Sequence, residues 1–244
     1  PIHFKLIINI LKKYGYHVEL LQTSTRAVVD EGLKNVHNDT CYPALLVIGQ
    51  FINALKSGKY DVNRTALMLT QTGGGCRASN YIHLLRKALK KEFPQVPVIS
   101  LNLSGLEKGS GLSLTLPLLI KVVYAVFYGD LLMSLYNQCK PYEIHSGESE
   151  SVREKWQEKL TTIFDKREFI KCKKYCRMIL EDFDKIERTK EKKIRVGIVG
   201  EIYVKYSPLA NNHLEEFLLS EGCEPIVPAL MEFVMYCLAG SVAD

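Results

Sequence analysis

None of the seven cysteines forms a Cys-x-x-Cys pair, and the shortest thiol spacing is the four-residue one between Cys172 and Cys176. An odd cysteine number without an export signal argues against a disulfide framework and for free thiols, metal ligands or both. A secretory signal is missing too. Pro1 leads straight into the amphipathic run Ile2-His3-Phe4-Lys5-Leu6-Ile7, with no charged n-region and no cleavage site, so a cytoplasmic location is expected. The most apolar stretch, Leu112 to Phe127, is interrupted by Pro117 and Lys121 and falls short of the roughly 20 apolar residues of a membrane span. A buried helix is the expectation there, with no membrane partner.

Several chemical signatures are also missing. Gly73-Gly74-Gly75 lacks the Lys-Ser/Thr ending of a P-loop, and no Gly-x-Gly-x-x-Gly fingerprint follows a strand-like run. A nucleotide role for the three glycines, with Arg77 adding charge, therefore ranks behind the other readings. Gly-x-Ser-x-Gly does not occur, and the six histidines (3, 17, 37, 83, 145 and 213) show no ligand spacing, which leaves a hydrolase little support. The charge balance is +5, from 32 basic and 27 acidic side chains. Between Arg153 and Arg195 the lysines are interleaved with acids and not with base-stacking aromatics, so this is read as a solvated helical face with no nucleic-acid partner.

What is present is enough for a packed core: 244 residues, 47% hydrophobic and 24% charged, make one large domain or two small ones. The chain starts without Met and stops just after an apolar helical pattern, which suggests a fragment of a longer protein. Residues 3 to 14 have helical periodicity, with Gly15 as a stop before the strand-like His17-Val18-Glu19-Leu20-Leu21. Thr23 or Ser24 can cap a short helix ending near Gly32, and Asn38-Asp39-Thr40 offer caps for a helix from Tyr42 to about Leu55. Thr65 to Thr70 favours a strand and Ser79 to Lys91 a helix. Val96 to Leu101 reads as a strand that Pro97 restricts to a sheet edge or a strand start. The chain is mostly helical from 111 to 190, and then Ile194 to Gly200, Asn212 to Glu221 and Glu224 to Val227 read as strand, helix and strand. The fold class expected is α/β, with two Rossmann-like units, the second incomplete, joined by a helical section. The boundaries are 1–110 for the first α/β domain, 111–192 for the helical section and 193–244 for the start of the second α/β domain.

Cys41 and Cys76 share a setting, since each follows a polar or glycine-rich turn and precedes a helix. Helix N-termini favour thiolates, and three glycines let backbone approach a bulky inorganic group or point amides at an anion. Cys172 and Cys176 share a helix face, but no nearby His or Cys completes a tetrahedral set. Cys139, Cys223 and Cys237 read as packed thiols.

Three longer runs add to this. Asn38 to Ala44, Gln71 to Tyr81 and Gly200 to Pro208, together with Lys140-Pro141-Tyr142-Glu143 after Gly129-Asp130, resemble the large CoA-substrate-specific enzyme activase proteins. In these an ATPase activase region is joined to a region similar to the 2-hydroxyacyl-CoA dehydratase subunits. The likeness runs from about residue 15 to 237. It implies an iron-sulfur protein of anaerobic metabolism whose cluster, of the 4Fe-4S type, is held by three cysteines across a cleft. Cys41 and Cys76 match the first two, with Gly73, Gly74, Gly75 and Arg77 beside the cluster. Where the dehydratase pattern has its third cysteine this chain has Met231, so Cys237 is the candidate by position alone. Arg77 and Lys205 are candidates to tune the cluster or hold an anionic substrate. The implied work is low-potential electron transfer or reductive acyl-CoA chemistry, and the implied partners are an acyl-CoA or other small substrate, the ATPase activase region and a second copy of the chain. The alternative is a cluster-free α/β module that binds CoA or a partner protein.

Overall fold

Eleven helices and five short strands are built by the described residues of a computed structural model, 2–37, 39–70, 81–102, 105–106 and 115–243. In chain order the helices are α1 (Ile2–Lys13), α2 (Arg26–Asn35), α3 (Tyr42–Lys56), α4 (Tyr81–Glu92), α5 (Leu116–Cys139), α6 (Glu148–Asp165), α7 (Cys172–Asp184), α8 (Ile202–Tyr206), α9 (Pro208–Asn211), α10 (Leu214–Ser220) and α11 (Leu230–Ala243). The strands are β1 (Leu67–Thr70), β2 (Val98–Asn102), β3 (Gly105–Leu106), β4 (Arg195–Gly197) and β5 (Glu224–Ile226). They fall into two compact units, one of residues 21–115 and one of 1–20 with 116–244.

The unit of residues 21–115 is a small α/β layer. β1 and β2 run parallel, Leu67 opposite Val98 through Thr70 opposite Leu101, with β3 antiparallel on the other edge of β2. Parallel neighbours need a crossover connection, and α4 supplies it. Arg86 of that helix donates to the Val98 carbonyl at 3.1 Å. Pro97 stands just before β2, where its missing N–H costs no ladder bond and its carbonyl still accepts from Leu67 N at 2.9 Å.

Helix α3 carries the core, with Ala44, Leu46, Ile48 and Ile52 almost fully buried. Leu46, Ile48 and Ile52 each contribute roughly 1.5–3 kcal/mol. Against it lies α2, at a distance only glycine permits. A Cβ on Gly49 would fall 2.1 Å from the Val28 carbonyl oxygen, and one on Gly32 would fall 2.4 Å from that of Leu45. The short helix expected to end near Gly32 ends at Asn35, and the glycine serves a close helix approach.

The other unit is organised around α5. The apolar face of α1 (Leu6, Ile10, Leu11) packs on it, so the first helix belongs with the helical section and not with the residues that directly follow it. Trp156 and Leu160 of α6 and Ile179 and Phe183 of α7 complete the core, beside a ring cluster in which Phe164 and Phe169 stack at 5.1 Å and Tyr124 and Tyr128 meet them edge-on. Helix α5 is long and apolar enough to cross a membrane by length and composition, with 44% of its apolar window buried. It packs against α1, α6, α7, α11 and β5. β4 and β5 form a second parallel pair, Arg195 opposite Glu224, whose crossover is α8–α10. With 64% helix among the described residues and small parallel sheets, the fold agrees with an α/β class at the coarse level.

Residues 16–24 form neither helix nor strand, which corrects the strand expected at 17–21. Branched and apolar residues favour extended backbone, but a strand also needs a neighbour to pair with. This stretch joins α1 of one unit to α2 of the other.

Candidate metal-binding cysteines

Cys41 is itself the N-cap of α3, with extended backbone (φ −61°, ψ 146°) and no side-chain capping hydrogen bond, where the sequence offered Asn38, Asp39 and Thr40. Pro43 sits in the first turn, where its lack of an N–H costs nothing, and Leu45 N returns to the Cys41 carbonyl at 3.2 Å. The half-buried sulfur thus stands at the positive end of a 15-residue helix, a place that favours a thiolate. Its Sγ is 3.1 Å from the hydroxyl of Tyr81, a buried residue that opens α4. That hydroxyl can donate to the sulfur and so stabilise negative charge on it.

Cys76, with Gly73, Gly74, Gly75 and Arg77, lies outside the described residues, between the end of β1 at Thr70 and the start of α4 at Tyr81. Cys237 falls on α11, in the other unit, and its side chain is also outside the described residues. Lys205 lies in α8 with its ammonium 5.6 Å from the centre of the Tyr206 ring.

The remaining thiols have separate settings. Cys139 is 2% exposed; burial pushes its thiol up, against the opposing effect of Arg188, whose Nη1 lies 3.7 Å from the sulfur. Cys172 and Cys176 are half-buried on α7, and burial followed by the neighbouring Cys172 raises the Cys176 thiol. Cys223, also half-buried, immediately precedes β5. No group of three His, Cys, Asp or Glu side chains converges among the described residues.

The most developed polar site of the helical unit centres on Asp130, a residue that enters the sequence reading only within a resembling run and is given no chemical role there. Asp130, 8% exposed on α5, receives three donors. His3 Nε2 donates to Oδ1 at 2.8 Å, Leu230 N donates to the same oxygen at 2.7 Å, and Met231 N donates to Oδ2 at 2.9 Å. A carboxylate can only accept, so Nε2 of His3 carries a proton. Nδ1 of His3 is buried with no hydrogen-bond partner among the described residues. The side chain thus caps the first turn of α11 from 100 residues away. Beside it Tyr206 donates to the Pro228 carbonyl, and burial, reinforced by the Asp130 charge, raises the phenol. The faint signals for this site are a charged residue inside an apolar helix and Gly129, where a Cβ would come 2.4 Å from the His3 ring.

The Gly200 to Pro208 run holds α8 and the first residue of α9 and is fastened by nearby groups. Glu201 accepts from Val204 N at 3.0 Å, and the Asn211 amide donates to the carbonyls of Val204 and Lys205. Lys140-Pro141-Tyr142-Glu143 ends at a carboxylate, 5% exposed, that accepts from Lys140 Nζ (2.6 Å) and from the Gly147 and Ser149 amides (2.8 and 2.9 Å) at the head of α6. Burial works against its ionisation, yet these donors outweigh it and hold Glu143 at about 2. Both runs also reach the β5 region, through Tyr142 donating to Glu224 at 2.8 Å and Tyr206 donating to the Pro228 carbonyl.

No protein-family model, no curated protein and no solved structure matches the chain.

Proposed function

We propose that the chain is the iron-sulfur-binding region of a cytoplasmic protein akin to the 2-hydroxyacyl-CoA dehydratases and their activases, working in low-potential electron transfer or reductive acyl-CoA chemistry. The observation that supports it most is local. Cys41 heads α3 with its sulfur 3.1 Å from the Tyr81 hydroxyl, and Tyr81 opens the helix that follows the glycine-rich Cys76 run by five residues. Thiolate at a helix N-terminus, with a hydroxyl donor beside the sulfur, is the donor chemistry that iron-sulfur clusters use. On this reading Cys41 and Cys76 are ligands, Cys237 is the third, Gly73 to Gly75 give the cluster room and Arg77 balances charge. The two parallel strand pairs are then the beginnings of two Rossmann-like units. When bound, a cluster of the 4Fe-4S type with three thiolates supplies an electron carrier with one open iron. Within the chain, Cys41 binds and the Tyr81 hydroxyl holds a proton toward its sulfur. The proposed partners are an acyl-CoA or similar small substrate, an ATPase activase region and a second copy of the chain.

Anaerobic reconstitution with iron and sulfide tests this, comparing wild type with Cys41→Ser, Cys76→Ser and Cys237→Ser. Wild type should retain iron and develop visible cluster absorbance that each variant loses or weakens. Tyr81→Phe should keep the iron but lower the reduction potential, because a hydrogen bond to sulfur favours the reduced state. If wild type held no more iron than Cys41→Ser and Cys76→Ser, the reading would give way to the cluster-free module.

A further inference from the structure

Among the described residues, Cys172 and Cys176 are two thiols that share one helix face. They are the first and fifth residues of α7 and lie one turn apart on the edge of the face that buries Tyr175, Ile179 and Phe183. Spacing decides what such a pair can do. Side chains four apart on a helix have Cβ atoms roughly 5–6 Å apart. A disulfide needs about 3.8 Å, so closing one would require the first turn of α7 to open. One thiophilic atom between the sulfurs spans about 4.6 Å at metal–sulfur lengths near 2.3 Å. That span fits the intact helix.

We propose that Cys172 and Cys176 form a dithiol site for a soft, two-coordinate ion of the Cu(I) class. Low coordination follows from the surroundings: no third His, Cys, Asp or Glu joins the pair among the described residues, which disfavours tetrahedral zinc. The nearest carboxylate on the preceding turn, Glu168, is engaged by Lys171 Nζ at 2.7 Å and the Tyr175 hydroxyl at 2.8 Å. Lys171, Lys173 and Lys174 surround the first turn and suit the net negative charge of a bis-thiolate Cu(I) centre. Tyr128 has a single hydroxyl proton and two acceptors in reach, the Phe169 carbonyl at 2.9 Å and Cys172 Sγ at 3.7 Å. The Cys172 thiol also reaches the Phe169 carbonyl, at 3.6 Å. The Tyr128 hydroxyl can therefore serve the Phe169 carbonyl or the Cys172 sulfur. Binding forms two S–Cu bonds, releases the two thiol protons to solvent and changes no oxidation state, so affinity falls as pH is lowered.

The experiment is an anaerobic Cu(I) titration of the metal-free chain against a chromogenic Cu(I) chelator, for wild type, Cys172→Ser, Cys176→Ser and Cys41→Ser. Removing either α7 thiol turns a chelate into a single-ligand site. One tight equivalent should therefore weaken by about 100-fold or more in both α7 variants, while Cys41→Ser retains it. A second readout uses wild type alone: one equivalent of Cu(I) should protect Cys172 and Cys176 together from alkylation, mapped by peptide mass spectrometry. Unchanged stoichiometry and affinity in both α7 variants, or alkylation of the pair at the metal-free rate, would overturn the proposal.

Discussion

Replacing Asp130 by Asn keeps the shape of the side chain and removes its charge, and the structure sets the expected cost. The best amide orientation places its oxygen at the Oδ1 position, where His3 Nε2 and Leu230 N still donate at 2.8 and 2.7 Å. Its NH2 group then faces Met231 N, which has lost its acceptor at 2.9 Å. Losing a charge-assisted bond costs about 1.5–3 kcal/mol, and the two surviving bonds become neutral-acceptor bonds of roughly half the strength. The sum is about 3–6 kcal/mol, equivalent to a fall of about 6–24 °C in the melting temperature of a unit this size. Trp156 is the only tryptophan and is 0% exposed in the same unit, so its fluorescence follows the relevant transition. Exchange of the Leu230 and Met231 amides should accelerate with it. Glu201→Gln, at the exposed cap of α8, is the control and should cost no more than about 1 kcal/mol. A melting shift under about 2 °C for Asp130→Asn, with α11 amide exchange unchanged, would refute the reasoning.

Three other outcomes are expected. Glu143 titrates near 2 in the folded chain against 4.5 as its ordinary value, so its stabilisation, about 3 kcal/mol, is fully present above pH 4.5 and disappears as pH falls toward 2. Urea midpoints of wild type and Glu143→Gln should therefore differ at pH 6 and converge toward pH 2. Gly49→Ala drives a methyl into the Val28 carbonyl and the Gly32 backbone, neither of which can rotate away. It should cost about 3 kcal/mol or more, read as a lower urea midpoint of the 21–115 unit and lost amide protection in α2. Cys139, buried and raised, should alkylate far more slowly than half-buried Cys41 in a mass-spectrometric time course.

The sequence was most legible where the physics is local. The start of α3 at Tyr42 follows from Pro43 and the polar run before it, and the strands at β1, β2, β4 and β5 follow from short branched runs bounded by glycine, proline or charge. Gly32 shows the limit. A glycine that stops a helix and one that admits a neighbouring helix look alike until Leu45 is in place. The extended 17–21 segment shows another, because propensity cannot supply a pairing partner. Cys41 was visible as a thiol before a helix, but the hydroxyl of Tyr81 beside it depends on how α3 and α4 pack. His3, Asp130 and the head of α11 are separated by 127 and 100 residues, and nothing in a short window joins them.

The start of α11 is chosen by α5 and not by its own flanking residues. An apolar helix without a local side-chain cap has little reason to begin at Leu230 until α5 presents a carboxylate there. That carboxylate is held in turn by a histidine three residues into the chain. One carboxylate thus ties the seating of α1 on α5 to the head of α11. Damage at His3 should therefore loosen the first turn of α11, more than 200 residues further along the chain.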